Sequence, residues 1–277
     1  LYPTTMAISK QLLTIYDKPM IYYPLSTLML SGIREILIIT TREDSNAFKR
    51  LLGDGSRWNI TLKYAIQKKP SGIAEAILIS QEFIADSPCV LALGDNIFFG
   101  HAFKKLLKTA NEQTDCATIF LYRVNNPERY GVAEFDQNNK ILNLIEKPKK
   151  PKSNYVVTGL YFYDKCAVEY AKKITPSSRG ELEITDLNKI YLAKNKLSAQ
   201  IMSRGYAWLD TGTHDSLLQS NQFVQTIEKR QGMKIACLEE IAFREKWISL
   251  SELKDSANQI SSSSYGKYLK QIVEENS

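Results

Sequence analysis

Short apolar runs alternate with amphipathic stretches over the first 125 residues of the chain. The runs Glu35–Thr40 and 89–93 contain few polar side chains, which is typical of strands buried on both faces. Similar runs predict strands at 62–67 and 117–124, and helical spacing predicts helices at 20–31, Ser45–Leu52, 73–84 and 104–111. Because strands that alternate with helices are typical of an α/β fold, we predict a Rossmann-like, mostly parallel central sheet flanked by helices.

The pattern changes after Tyr130, where strand-like segments follow one another with few helical signals between them. The segments are 131–136, Ile141–Glu146 and Tyr155–Tyr163, and the polar stretch 136–140 predicts a hairpin between the first two. Helices at 168–174 and 184–195, a strand pair at 198–203 and 206–209, a long helix at 214–230, and short helices over 233–277 with a serine-rich break at 261–264 are predicted to follow. We therefore expect an inserted β-hairpin region and a helical C-terminal segment.

Composition and charge exclude several functional classes. At 277 residues and 44% hydrophobic, the chain can bury a large core, and none of its apolar runs approaches the length of a membrane span. The four cysteines lack CxxC spacing and have no histidine nearby, which argues against a disulfide framework or a zinc site and favours a reducing, cytoplasmic compartment. The net charge of +6 is spread along the chain, and its densest run, 147–152, is broken by prolines. We predict no nucleic-acid or membrane partner, whereas small anionic substrates such as phosphates suit this charge.

Two aspartates follow predicted strands. Asp95 comes after the apolar run 89–93 and Gly94, and Asp210 follows the strand at 206–209 and begins an Asp-Thr-Gly turn. Ligands of α/β sheets bind beyond the carboxyl ends of the strands, where such carboxylates can hold Mg²⁺. Each aspartate equally suits a turn in which it caps the following helix. The pattern by itself leaves both interpretations open.

Several glycine and amide positions have a functional and a plain structural interpretation. Gln67 carries an amide that can read the edge of a nucleobase, and Gly72 opens the helix at 73–84, where backbone N–H groups could face a ligand. Taken alone, the same stretch is more typical of a simple polar loop. Gly159, inside an apolar strand, indicates that a ligand approaches the backbone closely.

Charged positions near predicted strand ends are also ambiguous when each is taken alone. Glu146 could accept hydrogen bonds from sugar hydroxyls, and Lys147 could contact a phosphate, but an isolated Glu-Lys pair is typical of a solvated surface. Arg179 lies in a charged loop and Lys10 lies beside a turn, and neither position indicates function by itself.

The order and spacing of several motifs are more specific than any one of them. The chain carries, in this order, SKQLLTIYDKPMIYYPLSTLMLSGI, LLGDGSRW, YAIQKKPSGIAEA, LGDNIFFGH, PERYGVAEFD, EKPKKPKSNYVVTGLYFYD, RGELEITD and RGYAWLDTGTHDSLL. Together these motifs cover essentially the whole chain and resemble the sugar nucleotidyltransferases (sugar-nucleotide pyrophosphorylases), and within them the glucose-1-phosphate thymidylyltransferases (dTDP-glucose pyrophosphorylases). The resemblance implies transfer of a thymidylyl group from dTTP to glucose-1-phosphate, which gives dTDP-glucose and pyrophosphate as the first step of dTDP-rhamnose synthesis.

The resemblance also implies roles for particular residues. Those expected to act in catalysis are Lys10, Asp95, Lys147 and Arg179. Those expected to hold Mg²⁺ are Asp95 and Asp210. Those expected to bind the nucleotide are Gln67, Pro70, Gly72, Ile73, Leu93 and Gly94. Those expected to bind the sugar phosphate are Tyr130, Gly131, Glu146, Lys147, Val157, Gly159, Arg179 and Trp208. Those expected at a second, regulatory site for an end-product sugar nucleotide are Gly100, His101 and Arg204.

The same resemblance implies an organisation of the chain. Residues 1–227 are expected to form the catalytic core, with a nucleotide-binding part at about 1–125 and a sugar-phosphate-binding part at about 126–227, and 228–277 a helical segment for regulation and oligomerisation. A homotetramer is expected. In the family, the stretch that matches LYPTT follows a short strand and a glycine-rich loop of the form LAGGxGTR that holds the triphosphate, and we expect the natural polypeptide to include both. The alternatives are a pyrophosphorylase for UTP or another sugar phosphate, and a non-catalytic regulatory subunit that binds sugar nucleotides.

Overall fold

Strands and helices alternate in the computed structural model, which describes residues 1–137 and 140–277. The α/β class predicted from the hydrophobic pattern is confirmed. The strands are β1 (Thr14–Ile15), β2 (Lys18–Pro19), β3 (Glu35–Thr40), β4 (Thr61–Ile66), β5 (Cys89–Ala92), β6 (Asn96–Gly100), β7 (Ala117–Arg123), β8 (Gly131–Phe135), β9 (Ile141–Glu146), β10 (Tyr155–Tyr163), β11 (Leu197–Met202) and β12 (Tyr206–Asp210).

The helices lie between strands and form most of the chain after β12. They are α1 (Tyr22–Leu30), α2 (Ser45–Leu52), α3 (Glu75–Ile79), α4 (Gln81–Ile84), α5 (Phe103–Asn111), α6 (Ala167–Ala171), α7 (Ile184–Ala193), α8 (His214–Gln231), α9 (Leu238–Arg244), α10 (Leu250–Gln259) and α11 (Ser264–Glu275), with short 3-10 turns at Lys10–Leu12, Ser56–Trp58 and Pro127–Arg129. The single helix predicted at 73–84 is two helices, because the Ser80 hydroxyl bonds to the carbonyls of Ala76 (2.8 Å) and Ile77 (3.1 Å) and competes with the helical ladder.

The largest sheet is built around β10. This strand runs antiparallel to β7 on one edge and to β5 and β8 on the other, while β11 lies parallel to β7 and β9 antiparallel to β8. The sheet is therefore mixed rather than mostly parallel. β5 and β7 do point in the same direction, but β10 lies between them in the opposite direction. Within the described residues no helix separates β8, β9 and β10, and parallel neighbours need a crossover of about a dozen residues or more.

Two further pairings bear on the predictions. β3 and β4 form a parallel pair connected through α2, as the alternating pattern predicts. The hairpin of β8 and β9 is also confirmed by their antiparallel register, although residues 138 and 139 of its predicted turn lie outside the described part of the chain.

The strand pair predicted at 198–203 and 206–209 is wrong as a pair. β11 pairs with β7 over six residues, and β12 pairs with β6, a strand that the hydrophobic pattern did not predict. Each strand thus has a partner from a distant part of the chain, so the turn between them leads from one sheet to another. The β6–β12 ribbon carries predicted site residues at both of its ends.

The C-terminal helices pack on the first half of the chain. Leu238, Leu253 and Leu269 are buried in the same apolar cluster as Leu25 and Ile36, so α9, α10 and α11 share a core with α1 and β3. The boundary expected at residue 227 lies inside α8. Among the described residues, the helices are too short or too polar to cross a membrane.

Candidate active site

Asp95 and Asp210 lie together where β5 ends and the β6–β12 ribbon begins. Asp95 occupies the turn between β5 and β6, and Asp210 is the last residue of β12, opposite Asn96 in the register. Thr211 donates to the backbone carbonyl of Asp95 through its N–H (3.2 Å) and its hydroxyl (2.8 Å). Pairing of these two strands therefore unites two carboxylates that are far apart in the sequence.

Opposing charges surround these two carboxylates. Burial raises the pKa of Asp210, and the negative charge of Asp95 raises it further. Lys10 forms an ion pair with Asp95, and the Tyr130 hydroxyl donates to Asp210 Oδ2 at 3.2 Å. Burial also raises the pKa of Tyr130 to about 12, so this hydroxyl keeps its proton near neutral pH. The positive charges of Lys10 and Arg129 and the Tyr130 hydroxyl thus partly offset the charge of two neighbouring carboxylates.

The donor set fits a divalent cation. Two carboxylates held close together repel each other, and a cation between them removes that cost. In residues 1–137 and 140–277 no group of three or more His, Cys, Asp and Glu side chains converges to hold a metal ion. Mg²⁺ sites commonly combine one or two carboxylates with water and substrate phosphates. The site thus suits an ion that the protein shares with a bound phosphate.

Asn96 connects the Asp95 turn to the predicted sugar pocket. Its Oδ1 accepts hydrogen bonds from Trp208 Nε1 at 2.6 Å and from the backbone N–H of Gly159 at 3.0 Å, and its Nδ2 donates to Asp95 Oδ1 at 3.0 Å. A Cβ on Gly159 would lie 2.6 Å from Asn96 Oδ1. The sequence predicted a ligand close to the Gly159 backbone, but in this structure the group that approaches it is the Asn96 side chain, which no sequence signal singled out.

Glu146 is held at the end of β9 by Thr185. Thr185 Oγ1 donates to Glu146 Oε2 at 2.5 Å. Gly131 leaves room for this contact, because a Cβ there would lie 3.0 Å from Thr185 Oγ1 and 3.4 Å from Glu146 Oε2. Val157 borders the same space on β10, 3.9 Å from that Cβ position. The other carboxylate oxygen of Glu146 is directed to the two basic side chains described next.

Lys147 and Arg179 bring positive charge to Glu146. Their terminal nitrogens lie 3.9 Å (Lys147 Nζ) and 3.6 Å (Arg179 Nη2) from Glu146 Oε1. Arg179 also donates to Glu183 Oε1 at 2.7 Å and lies 3.5 Å from Glu181 Oε2. The hydrogen bond to Glu183 is the main cause that raises the pKa of Arg179. Both cations remain partly exposed, so they can contact an anion that enters from solvent.

A cavity of about 480 Å³ is lined by Ser9, Gln11 and Gly94, which are sequence neighbours of Lys10 and Asp95. All six residues expected to bind the nucleotide line it: Gln67, Pro70, Gly72, Ile73, Leu93 and Gly94. A Cβ at Gly94 would lie 2.8 Å from the Gln11 side chain, so a larger residue here would displace that side chain. Gly72 has a φ of +105° and packs against the backbone of Leu182, a position that suits only glycine. The volume is within the usual range for small-molecule sites.

The residues expected at a regulatory site lie at the opposite end of the β6–β12 ribbon. Gly100 ends β6 and pairs with Tyr206, and His101 and Arg204 lie on the exposed turns that adjoin these two strands. Gly100 lies four residues after Asn96 along β6, which is a distance of about 13 Å. The structure thus places this group apart from the carboxylates but on the same two-stranded element.

The family model for nucleotidyl transferases matches residues 1–227 of the chain. The chain is 55% identical over 273 residues to the glucose-1-phosphate thymidylyltransferase of Neisseria meningitidis serogroup A, covering 99% of this chain and 95% of that protein. It is 49% identical over 276 residues to the enzyme of the same name from Mycobacterium tuberculosis H37Rv, covering 100% of this chain and 96% of that protein.

Solved structures give the same picture of the fold. A Bacillus anthracis protein crystallised with a sucrose and assigned as a glucose-1-phosphate thymidylyltransferase superposes with a TM-score of 0.74 at 40% identity, over 80% of this chain and 89% of that one. A UDP-glucose pyrophosphorylase in complex with UDP-glucose superposes with a TM-score of 0.72 over 82% of this chain and 94% of that one. At 21% identity, the second likeness concerns the fold alone.

Proposed function

The chain belongs to the nucleotidyl transferase family, and we propose that it transfers a thymidylyl group from dTTP to glucose-1-phosphate, which yields dTDP-glucose and pyrophosphate. The observation that carries this proposal is the identity of 49–55% over at least 95% of the length of relatives named glucose-1-phosphate thymidylyltransferase. The geometry supports the same chemistry, since carboxylates, cations and a nucleotide-sized cavity adjoin one another.

Asp95 and Asp210 are the residues that would hold a metal ion. The family generally uses a divalent metal, and we propose Mg²⁺ because its preferred ligands are carboxylate and phosphate oxygens. When bound, the ion neutralises phosphate charge and helps to orient the reacting groups. Tyr130 holds the Asp210 carboxylate through its hydroxyl, and Lys10 pairs with Asp95 next to the cavity that would contain the triphosphate.

The transfer is a direct displacement at the α-phosphorus of dTTP. A phosphate oxygen of glucose-1-phosphate forms the new P–O bond while the bond from the α-phosphorus to the bridging oxygen of the β-phosphate breaks, and that electron pair leaves with pyrophosphate. Because both reactants are anions, positioning and charge neutralisation provide most of the catalysis. Lys10, Lys147 and Arg179 are the cations that would bring the two phosphates together.

Glu146 and its neighbours would bind the sugar. The Glu146 carboxylate can accept hydrogen bonds from sugar hydroxyls, with Thr185 fixing its orientation, while Lys147 and Arg179 bind the phosphate of the sugar. Gly131, Val157, Gly159 and Trp208 would shape the pocket, with Tyr130 at its edge. The Trp208 ring packs edge-on against that of Tyr130 at 5.2 Å, so the wall of the pocket is also tied to Asp210.

The remaining expectations are part of the same proposal. We propose that dTDP-glucose made by this protein feeds dTDP-rhamnose synthesis in the cytoplasm, and that an end-product sugar nucleotide regulates the enzyme at Gly100, His101 and Arg204. The division into a core at 1–227 and a C-terminal segment at 228–277, and assembly into a homotetramer, are likewise proposed from the family resemblance.

Pyrophosphate release tests the function directly. The full-length protein is mixed with glucose-1-phosphate, Mg²⁺ and either dTTP or UTP, beside the variants Asp95→Asn and Asp210→Asn. We expect release with dTTP and a loss of about a hundredfold or more in each variant, as when transition-state charge loses its partner. Turnover of UTP in preference to dTTP would instead favour the uridylyl-transferring alternative. Tight binding of dTDP-glucose without release would favour a regulatory subunit.

A further inference from the structure

Gln67 is oriented by two acceptors of the protein. Its Nε2 donates to the carboxylate of Glu75 (Oε2) at 2.6 Å and to the backbone carbonyl of Gly72 at 3.3 Å. A side-chain amide has two N–H hydrogens and one carbonyl oxygen. Both hydrogens are thus directed to the protein, which leaves the carbonyl Oε1 as the group available to the cavity that Gln67 lines.

The opposite orientation of this amide is electrostatically excluded. Rotation by 180° would place Oε1 against the Glu75 carboxylate and the Gly72 carbonyl, which are both acceptors. A carboxylate has no proton to offer at neutral pH, so no hydrogen bond could form in that orientation. Glu75 therefore determines which end of the Gln67 amide faces the cavity.

The loop that carries these groups is held in place independently of Gln67. The Leu182 N–H donates to the Ser71 carbonyl at 2.7 Å, and the Ala74 N–H donates to the Leu182 carbonyl at 3.1 Å. The Gly72 backbone packs directly on Leu182. Glu75 follows as the first residue of α3, directly after these backbone contacts to Leu182.

We propose that Glu75 is a positioning residue that sets base specificity, by presenting Gln67 Oε1 as an acceptor to the base. An acceptor that faces N3 of the base selects pyrimidines that carry a hydrogen there, namely thymine and uracil, over cytosine, whose N3 is itself an acceptor. This inference rests on the proposed nucleotide site, and it goes further in naming the residue that excludes cytosine nucleotides from that site.

Binding of dTTP and dCTP to the full-length protein tests this role without relying on turnover. Calorimetric dissociation constants are compared for the wild type, Glu75→Gln and the control Glu82→Gln, which makes the same change at an exposed residue of α4. Gln at position 75 can donate or accept, so Gln67 can take either orientation. We expect the preference for dTTP over dCTP to fall about tenfold in Glu75→Gln, the size of one hydrogen bond, and to be unchanged in the control.

A second variant separates orientation from simple damage. In Gln67→Glu combined with Glu75→Gln, the residue at position 67 can only accept, so position 75 must donate to it. We expect this double variant to regain the preference for dTTP that Glu75→Gln loses. Weakening of both nucleotides by the same factor in Glu75→Gln, with no recovery in the double variant, would indicate a merely structural role and overturn the inference.

The outcomes distinguish this inference from the proposed function. An unchanged binding preference in Glu75→Gln, in a protein that releases pyrophosphate from dTTP and glucose-1-phosphate, overturns the role of Glu75 alone. The expected loss of preference in a protein that releases no pyrophosphate supports the role of Glu75 and overturns the proposed reaction. A wild type that binds neither nucleotide overturns both.

Discussion

Trp208 Nε1 donates a hydrogen bond of 2.6 Å to the side-chain oxygen of Asn96. The two residues lie on the paired strands β12 and β6, and both are more than nine-tenths buried. Because Asn96 also bonds to Asp95, the contact links the wall of the sugar pocket to the carboxylate that would hold the metal ion. Loss of the Asn96 side chain should therefore affect both the stability of the fold and the geometry of the candidate site.

Replacing Asn96 by Ala is expected to lower the free energy of unfolding by about 1–3 kcal/mol, because it leaves the Trp208 N–H and the Gly159 N–H buried without an acceptor. Urea denaturation measures this change. Trp208→Phe provides the comparison, since it removes one donor but leaves Asn96 bonded to Gly159, and it should cost less than Asn96→Ala in hydrogen bonding. Equal unfolding free energies for Asn96→Ala and the wild type would contradict the importance of this hydrogen-bond centre.

Metal affinity is expected to decrease as the pH falls through the raised pKa of Asp210. Burial and then the charge of Asp95 raise this pKa, so protonation removes a metal ligand at a higher pH than in an ordinary aspartate. Without metal, the stability of the protein should change with pH in the opposite direction, and should rise as the pH falls. Since the folded pKa of Asp210 lies above its unfolded value, its ionisation disfavours folding, and its contribution to stability improves as the pH falls through the folded pKa.

Asp95→Asn tests the cause of this shift. Removing the like charge should lower the pKa of Asp210, which a carboxyl-carbon NMR titration of the metal-free protein can measure. Asp115→Asn is the matched control, because Asp115 is exposed and does not contribute to the shift at Asp210. An Asp210 pKa that is the same in Asp95→Asn as in the wild type would show that the two carboxylates do not interact in solution.

Lys147→Ala is expected to raise the KM for glucose-1-phosphate about tenfold or more and to leave the KM for dTTP nearly unchanged, because this ammonium lies beside Glu146 where the sugar phosphate would bind. Steady-state kinetics with each substrate varied in turn provides the measurement. Lys152→Ala, a few residues further in the same basic stretch, removes a lysine whose side chain is 80% exposed and should change neither constant. Equal increases in both KM values would argue against a sugar-phosphate contact.

Lys18→Met is expected to lower the free energy of unfolding by about 3 kcal/mol, because Asp17 and Glu228 would then share only Lys234, which leaves one buried negative charge without compensation. Lys18 is 2% exposed and lies 2.5 Å from Asp17 Oδ1 and 2.8 Å from Glu228 Oε1, where it joins the β1–β2 hairpin to α8. Urea denaturation measures the loss.

The control for Lys18 is an exposed pair of the same kind. Lys173→Met breaks the helical ion pair with Glu169, and both of those side chains are more than half exposed. Its effect should remain below about 1 kcal/mol, as for other solvent-exposed pairs. Similar losses of unfolding free energy in Lys18→Met and Lys173→Met would mean that burial does not strengthen the contribution of the Lys18 contacts to stability.

The local spacing of hydrophobic residues was sufficient to predict most helices and strands. The bounds predicted for α2, β9 and β10 agree with the structure, and those of β3 do as well, because each is a run whose spacing or burial is decided by adjacent residues. β6 was missed because it follows directly on the turn that contains Asp95, with no break in the sequence to separate it from β5. The reversal of β10 between β5 and β7 could not be read from the pattern, since an apolar strand looks the same in either direction.

In the candidate site, too, local sequence and long-range packing determine different features. The sequence by itself determined which residue types stand at the strand ends, and the motifs carried the family and the expected roles of Lys10, Asp95 and Gln67. Only the tertiary structure decided that Asn96 accepts a hydrogen bond from Trp208 and that Thr185 donates one to Glu146. It also decided that Glu75 orients the amide of Gln67. The physical reason is that a strand or a helix depends on neighbours a few residues away, whereas a hydrogen bond requires an atomic position that pairing and packing of distant segments alone provide.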